Sequence, residues 1–183
     1  MTKTTWNIDP THSTVGFSIR HMVFSKVRGR FLKYTGAIQL DDGDLSKSWV
    51  EVAIDAASID TGTAQRDNHL RSADFFDVEN FPELRFRSTR VEDIGGGRLR
   101  VIGELTIRDT TREVALDAES AGRGMDPWGN ERIGFVAKTS IDRKDFGLQW
   151  NQVLEAGGVL VGDRVDIELD LQAVNTAARD QAA

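Results

Sequence analysis

Five charged or titratable side chains are concentrated in one short stretch of the chain. They are Arg66, Asp67, His69, Arg71 and Asp74. Two guanidinium groups and an imidazole could bring positive charge to the rim of an apolar site and bind an anionic group there. The carboxylates and the imidazole could instead carry out acid–base catalysis. Exposed pairs of this kind are also common and weak, so mutual pairing in solvent is a third interpretation that composition leaves open.

The same stretch predicts a short helical insertion near residues 62–76. Asp67 and Arg71 are four residues apart, so their charges can brace one helix. Thr61 or Thr63 can cap its first turn. Two adjacent aromatic residues follow and require burial, so we expect the insertion to pack as a lid against an apolar interior.

Charge and residue types exclude several functions. The net charge of −6 argues against a nucleic acid partner, because phosphate binding needs a basic face. Cysteine is absent, which removes disulfides, thiolate metal sites and a cysteine nucleophile. His12, His21 and His69 lack metal-ligand spacing, and no G-x-S-x-G elbow occurs. We therefore predict no catalytic residue, no metal and no cofactor.

The chain contains no apolar run near the roughly 18 residues that span a bilayer. Its start, MTKTTWNIDPTHS, has no apolar segment typical of a secretory signal, so we expect a cytoplasmic protein without an integral membrane segment. Residues 1–175 are predicted to form a single domain. Residues 176–183, which have no large apolar side chain, are predicted to be a disordered tail.

Period-2 alternation of apolar and polar residues dominates the rest of the chain. In its clearest example Val165, Ile167, Leu169 and Leu171 alternate with charged residues. About eight such segments indicate an all-β fold of antiparallel strands with one buried face each. Long strands favour a closed barrel over a sandwich, because closure also removes exposed edges. The interior of an eight-stranded barrel is wide enough for side chains or for one small ligand.

Two further residues are candidates for a site. On strict alternation His21 points inward with Phe17 and Ile19. A buried histidine most often bonds a backbone carbonyl, but a ligand head group could be its partner. Trp150 lies in a loop with other large apolar residues, and such loops lie at the mouth of a barrel.

Several motifs together resemble those of the YceI-like family of polyisoprenoid-binding proteins, from Trp6 to Val174. They are W-x-I-D-x-x-H-S at Trp6, F-x-I-R-H at Phe17, V-R-G-x-F at Val27, A-x-R-D-x-H-L-R-S-A-D-F-F at Ala64, G-x-L-T-I-R-D-x-T at Gly103 and D-P-W-G at Asp126.

The resemblance implies an extended, lipocalin-like antiparallel β-barrel with a helix-bearing insertion. It also implies a long apolar pocket for an isoprenoid such as a polyprenyl phosphate or a quinone, held for storage, transport or scavenging. Homodimers are expected from it as well. We accordingly predict a binding protein and not an enzyme. The alternative is a small enzyme that acts on an apolar substrate through Asp67, His69, Arg71 and Asp74.

The alternation and the lid argument predict the residues of the site. The apolar pocket is predicted to comprise Phe17, Ile19, Val52, Ile54, Leu84, Phe86, Val101, Leu105, Phe135 and Trp150. The polar head group of the ligand is predicted to meet His21, Arg66, Arg71 and Asp74.

Overall fold

The computed structural model describes residues 3–177, which contain eleven strands and one α-helix. The strands are β1 (Lys3–Ile8), β2 (Thr14–His21), β3 (Ser25–Phe31), β4 (Tyr34–Asp41), β5 (Trp49–Asp55), β6 (Ile59–Asp60), β7 (Glu83–Gly95), β8 (Arg98–Ile107), β9 (Thr110–Met125), β10 (Glu131–Asp142) and β11 (Val161–Asn175). The helix, α1 (Ala64–Arg71), lies between β6 and β7. The predicted tail falls largely on residues 178–183, which lie outside the described residues.

Eight of the strands form a closed antiparallel barrel. Their order is β1-β4-β5-β7-β8-β9-β10-β11, and β1 pairs with β11 through Trp6 opposite Asn175 to close the ring. Strands β2, β3 and β6 continue the sheet from β11, where Ile167 lies opposite Phe17. The predicted all-β barrel with a short helical insertion is therefore confirmed.

Two details of the strand assignment differ from the prediction. Alternation does not predict strand β1, because this strand offers only Trp6 and Ile8 as large apolar residues. The alternation from Val27 to Leu40 predicts one strand with bends at Gly29 and Gly36, but these residues form β3 and β4 with a break between them. At the break the backbone N–H groups of Leu32 and Lys33 donate to the Ser58 hydroxyl, 3.1 and 3.0 Å away. These bonds replace ladder bonds and let the chain change direction.

The hairpin between β7 and β8 turns at the three consecutive glycines. Gly95, Gly96 and Gly97 all have positive φ, at 90°, 65° and 79°. Residues with a side chain rarely adopt positive φ, so the glycines permit a turn that most other residues would disfavour. Three consecutive glycines in the sequence predict a hairpin tip, and the structure confirms it.

Helix α1 is held to the barrel by polar contacts. The buried Asp67 carboxylate accepts hydrogen bonds from the Thr61 backbone N–H and hydroxyl, 2.9 and 2.5 Å away. Thr63 occupies the capping position, but its side chain makes no capping bond, so the predicted cap is wrong. The sequence does not predict that Asp67 anchors α1 in this way. The contact depends on the position that residues 59–62 take in the folded structure.

The buried apolar side chains pack inside the barrel. Trp6 is completely buried, and Ile59 and Phe146 are nearly so. Charged side chains such as Arg164 and Glu168 on β11 alternate with these inward faces and point to solvent. This packing leaves an internal space.

Candidate ligand-binding site

The barrel encloses an elongated cavity of about 360 Å³. It extends from Trp49 and Leu99 at one end to Phe75 and Trp150 at the other. All ten apolar residues predicted for the pocket line it. Nine of them lie on strands, where side chains point to opposite faces in turn, and Trp150 lies in the loop before β11.

The basic side chains of the lining lie together at the second end, which we call the mouth. The mouth is formed by α1, the β2–β3 turn and the 143–160 segment. Its basic residues are Arg20, His21, Arg66, His69 and Arg143, and none of the described residues that line the cavity is Asp or Glu. A cavity with apolar walls and a cationic end fits an amphiphile with a polar or anionic head.

Contacts between neighbouring segments hold these residues at one end. His21 on β2 lies opposite Val161 at the start of β11. The Arg143 guanidinium donates to the Trp150 carbonyl, 2.8 Å away. The Trp150 ring in turn meets the His69 ring on α1, with centroids 4.6 Å apart. His21, Arg143 and His69 therefore share one rim, although they are far apart in the sequence.

Arg66 is the predicted head-group cation that the structure places in the cavity wall. Its Nε donates to the Thr61 hydroxyl and its Nη2 to the Thr61 carbonyl, both 2.7 Å away. Among the described residues, no carboxylate lies within ion-pair distance of Arg66. The side chain is thus positioned by neutral groups and its charge is available to an anion.

Arg71 and Asp74 do not line the cavity, unlike His21 and Arg66, the other two residues of the predicted head-group set. Arg71 donates to the carbonyls of Ala57 and Ile59, 2.8 and 3.0 Å away, so it ties α1 to the preceding segment. Asp74 lies outside the rim and bonds His69 Nε2 at 2.8 Å. The spacing of the charged residues along the sequence does not reveal which of their side chains face the barrel.

Aromatic rings close the mouth around His69. Its ring packs edge to face on Trp150 and on Phe75, with a centroid distance of 5.1 Å to the latter. Phe75 and Trp150 also contact each other at 5.5 Å. The helix and the loop that carries Trp150 therefore meet through these three rings.

Arg143 is a site residue that the sequence analysis missed. It is 2% exposed and donates to the carbonyls of Leu148, Trp150 and Gly162, at 2.6, 2.8 and 2.8 Å. Burial lowers the pKa of this guanidinium. The only signal in the sequence was an arginine directly after a strand, which does not reveal that loop carbonyls will surround it.

The D-P-W-G motif forms a polar network at the far end of the barrel. Arg132 bonds both Asp126 and Asp9, each at 2.8 Å. The Asp126 carboxylate also accepts the N–H groups of Trp128 and Asn130, which fixes the turn. The hydrogen bond from Arg132 lowers the pKa of Asp126. Burial would raise the pKa of Asp9, but hydrogen bonds from Arg132 and other donors outweigh it and lower the pKa to about 2.

A closed antiparallel barrel around an apolar cavity with a cationic mouth defines a ligand-binding barrel. The family model described as YceI-like domain matches residues 6–173, and the chain belongs to this family. A UPF0312 protein of Vibrio cholerae is 39% identical over 163 residues, which cover 89% of this chain and 82% of that protein.

Solved structures share the fold. BcnA of Burkholderia cenocepacia superposes with a TM-score of 0.79 at 24% identity, covering 90% of this chain and 98% of that one. A polyisoprenoid binding domain from Saccharophagus degradans superposes with a TM-score of 0.65 at 14% identity, covering 93% and 98%. At these identities the likeness concerns the fold alone.

No helix within residues 3–177 has the length and apolar character needed to cross a membrane. No group of three or more His, Asp or Glu side chains in the same range is arranged to hold a metal ion.

Proposed function

We propose that this protein binds an isoprenoid lipid, with its tail in the barrel cavity and its polar head at the mouth. The observation that carries the proposal is the polarity of the cavity, whose walls are apolar and whose basic side chains all lie at one end. Such a site stabilises an amphiphile because it buries the tail without leaving the head unpaired.

The isoprenoid class is supported by the family and by the description of the Saccharophagus neighbour as a polyisoprenoid binding domain. A polyprenyl phosphate suits the cationic mouth better than a quinone, since Arg66 and His21 can both donate to a phosphate oxygen. Storage, transport and scavenging all require this same binding step.

The experiment is native mass spectrometry of the purified protein, followed by solvent extraction and identification of what it retains. The delipidated protein is then titrated with a polyprenyl phosphate, a ubiquinone and a saturated fatty acid. We expect uptake of the isoprenoids in preference to the fatty acid. Protein that is empty when isolated and takes up none of the three would overturn the proposal, and equal uptake of the fatty acid would refute the isoprenoid class.

Catalysis by the cluster on α1 is the alternative function. Its supporting observation is the His69–Asp74 hydrogen bond beside the cavity, at 2.8 Å. Two of its four members, Asp67 and Arg71, are engaged in anchoring the helix, which weakens the alternative. A chemically altered isoprenoid that accumulates with time, and that Asp74→Asn abolishes, would favour the enzyme.

A further inference from the structure

Exposed apolar side chains form a patch beside the mouth. The mouth patch consists of Met22, Val23, Phe24, Val153 and Val159, whose exposures are 39%, 60%, 81%, 79% and 42%. Large exposed apolar groups are common singly, but a contiguous group indicates an interaction surface.

The patch is held together by two adjoining segments. The Met22 backbone N–H donates to the Leu160 carbonyl, 2.8 Å away, and the Val23 side chain packs beside Gly158. Val153 and Val159 face each other in an isolated antiparallel bridge. The β2–β3 turn and the 153–159 loop therefore present their apolar side chains on one surface.

The backbone of the turn displays these side chains at a conformational cost. Met22 and Val23 have positive φ, at 52° and 67°, in a turn where Asn or Gly is usual. A β-branched residue in this region is an outlier. Residues that disagree with their backbone conformation are found preferentially at functional surfaces. Selection for stability alone would place Asn or Gly at such positions.

The β2–β3 turn and the residues that flank it carry positive charge, although the whole chain carries −6. Arg20 and Lys26 lie opposite each other directly behind the turn, and residues 20–28 contain no acidic side chain. Neither cation has a carboxylate within ion-pair distance among the described residues. The acidic residue on the neighbouring loop is Glu155.

We propose that the mouth patch docks the barrel on an anionic lipid bilayer, with Phe24 inserted and with Arg20 and Lys26 at the head groups. Apolar tips flanked by cations fit the boundary between acyl chains and anionic head groups. Arg20 and His21 also line the cavity, so docking places its mouth against the membrane surface. The inference goes beyond ligand binding, since it holds whichever lipid the cavity takes.

The absence of cysteine allows a direct test with the full chain. Phe24→Cys is labelled with a polarity-sensitive fluorophore and mixed with vesicles of phosphatidylcholine containing phosphatidylglycerol. Trp128→Cys is the matched control, because Trp128 is equally exposed, at 81%, but lies at the far end of the barrel. We expect a blue shift at position 24 and none at position 128.

Vesicle co-sedimentation of unlabelled protein gives a second measurement. We expect Phe24→Ser to lower partitioning roughly tenfold or more, and Lys26→Gln roughly fivefold at low salt. Lys138→Gln, an exposed change on β10, should have little effect. Pure phosphatidylcholine should bind the wild type more weakly, because the charge contribution is lost.

Three results would overturn docking. One is an unchanged fluorophore at position 24, and another is an equal response at position 128. The third is a dimer in sedimentation analysis that Phe24→Ser converts to a monomer without any vesicle binding, which would assign the patch to a second copy of the chain. Failure of docking with ligand uptake intact would leave the proposed function standing.

Discussion

The imidazole of His69 and the indole of Trp150 meet edge to face, with ring centroids 4.6 Å apart. His69 belongs to the helical insertion and Trp150 to the loop before β11, so this contact joins two segments that are distant in sequence. Both rings also line the cavity. The pair therefore couples the closure of the mouth to the wall of the ligand site.

We expect Trp150→Ala to open the mouth and to shorten the residence time of a bound isoprenoid. The change removes two aromatic contacts, each of which contributes about 0.5–1.5 kcal/mol, and affinity should fall roughly tenfold. Stopped-flow displacement of a fluorescent isoprenoid measures the release rate. Trp128→Ala is the control, and an equal effect from both changes would contradict a role for Trp150 at the mouth.

Arg66 and Arg71 make a matched pair for the head-group contact. Arg66→Gln should weaken a polyprenyl phosphate by ~1.5–3 kcal/mol, because it removes a charged donor, while a neutral quinone should lose much less. Arg71→Gln should weaken both ligands alike, since Arg71 anchors α1 through Ala57 and Ile59. Titration calorimetry with both ligands separates the two effects. Equal losses of both ligands in Arg66→Gln would show that Arg66 does not recognise charge.

Arg143→Met should destabilise the protein by ~3 kcal/mol, because it leaves several loop carbonyls without a donor. The loop that carries Trp150 should become more open, and its amides should exchange faster. Hydrogen exchange and chemical denaturation measure both consequences. Arg143→Lys should recover part of the loss, because one ammonium can satisfy some of these carbonyls. A fully stable Arg143→Met would contradict this structural role.

The apolar half of the site could be predicted from the sequence and the polar half only in part. Strand alternation fixed the direction of Phe17, Ile19 and the other lining residues, because successive side chains on a strand alternate between faces. Arg66 and Arg71 lie on one short helix, whose orientation against the barrel is set by tertiary contacts. Arg143 was missed for the same reason, since its partners are carbonyls of a folded loop.

The overall barrel was also predictable, but strand β1 and the break between β3 and β4 were not. Strand β1 has few apolar residues and is recognisable only once Trp6 is seen to pair with Asn175 and Ile38. The break between β3 and β4 depends on the Ser58 hydroxyl, a contact made across more than twenty residues. Non-local hydrogen bonds of this type leave no local pattern.

The network of Asp9, Arg132 and Asp126 predicts a dependence of stability on acid. The pKa of Asp9 is lowered from 3.8 to about 2 in the folded state. Its contribution to stability is therefore complete above pH 4 and is lost as the pH falls toward 2. Arg132→Gln should lower stability at pH 7 and flatten this part of the profile. Urea unfolding between pH 2 and 7 measures the free energy of unfolding of both proteins as a function of pH.

Arg85→Gln is the control for the acid profile, because it breaks an exposed pair with Glu83. Exposed pairs contribute ~0–1 kcal/mol, so the profile should keep its shape. A wild-type profile that is flat between pH 4 and 2 would contradict the role assigned to Asp9.

Substitutions at two small inward-facing residues, Ala137 and Gly103, can distinguish an open cavity from a packed core. Ala137 lines the cavity and lies opposite Ala118 and Leu169. A Cβ at Gly103, in contrast, would lie 2.5 Å from the Arg87 carbonyl oxygen and 2.6 Å from Cζ of Phe86. Gly103→Ala should therefore cost ~1–3 kcal/mol or more through overpacking.

Ala137→Leu should leave the delipidated protein as stable as the wild type or stabilise it by ~0.5–2 kcal/mol, because the new side chain fills empty space. The same change should reduce isoprenoid uptake, since it occupies volume that the tail needs. Thermal unfolding of Ala137→Leu and Gly103→Ala, together with their ligand uptake, tests both expectations. A clear loss of stability in Ala137→Leu with unchanged uptake would mean that the barrel is packed at this level and that the ligand, if any, lies elsewhere.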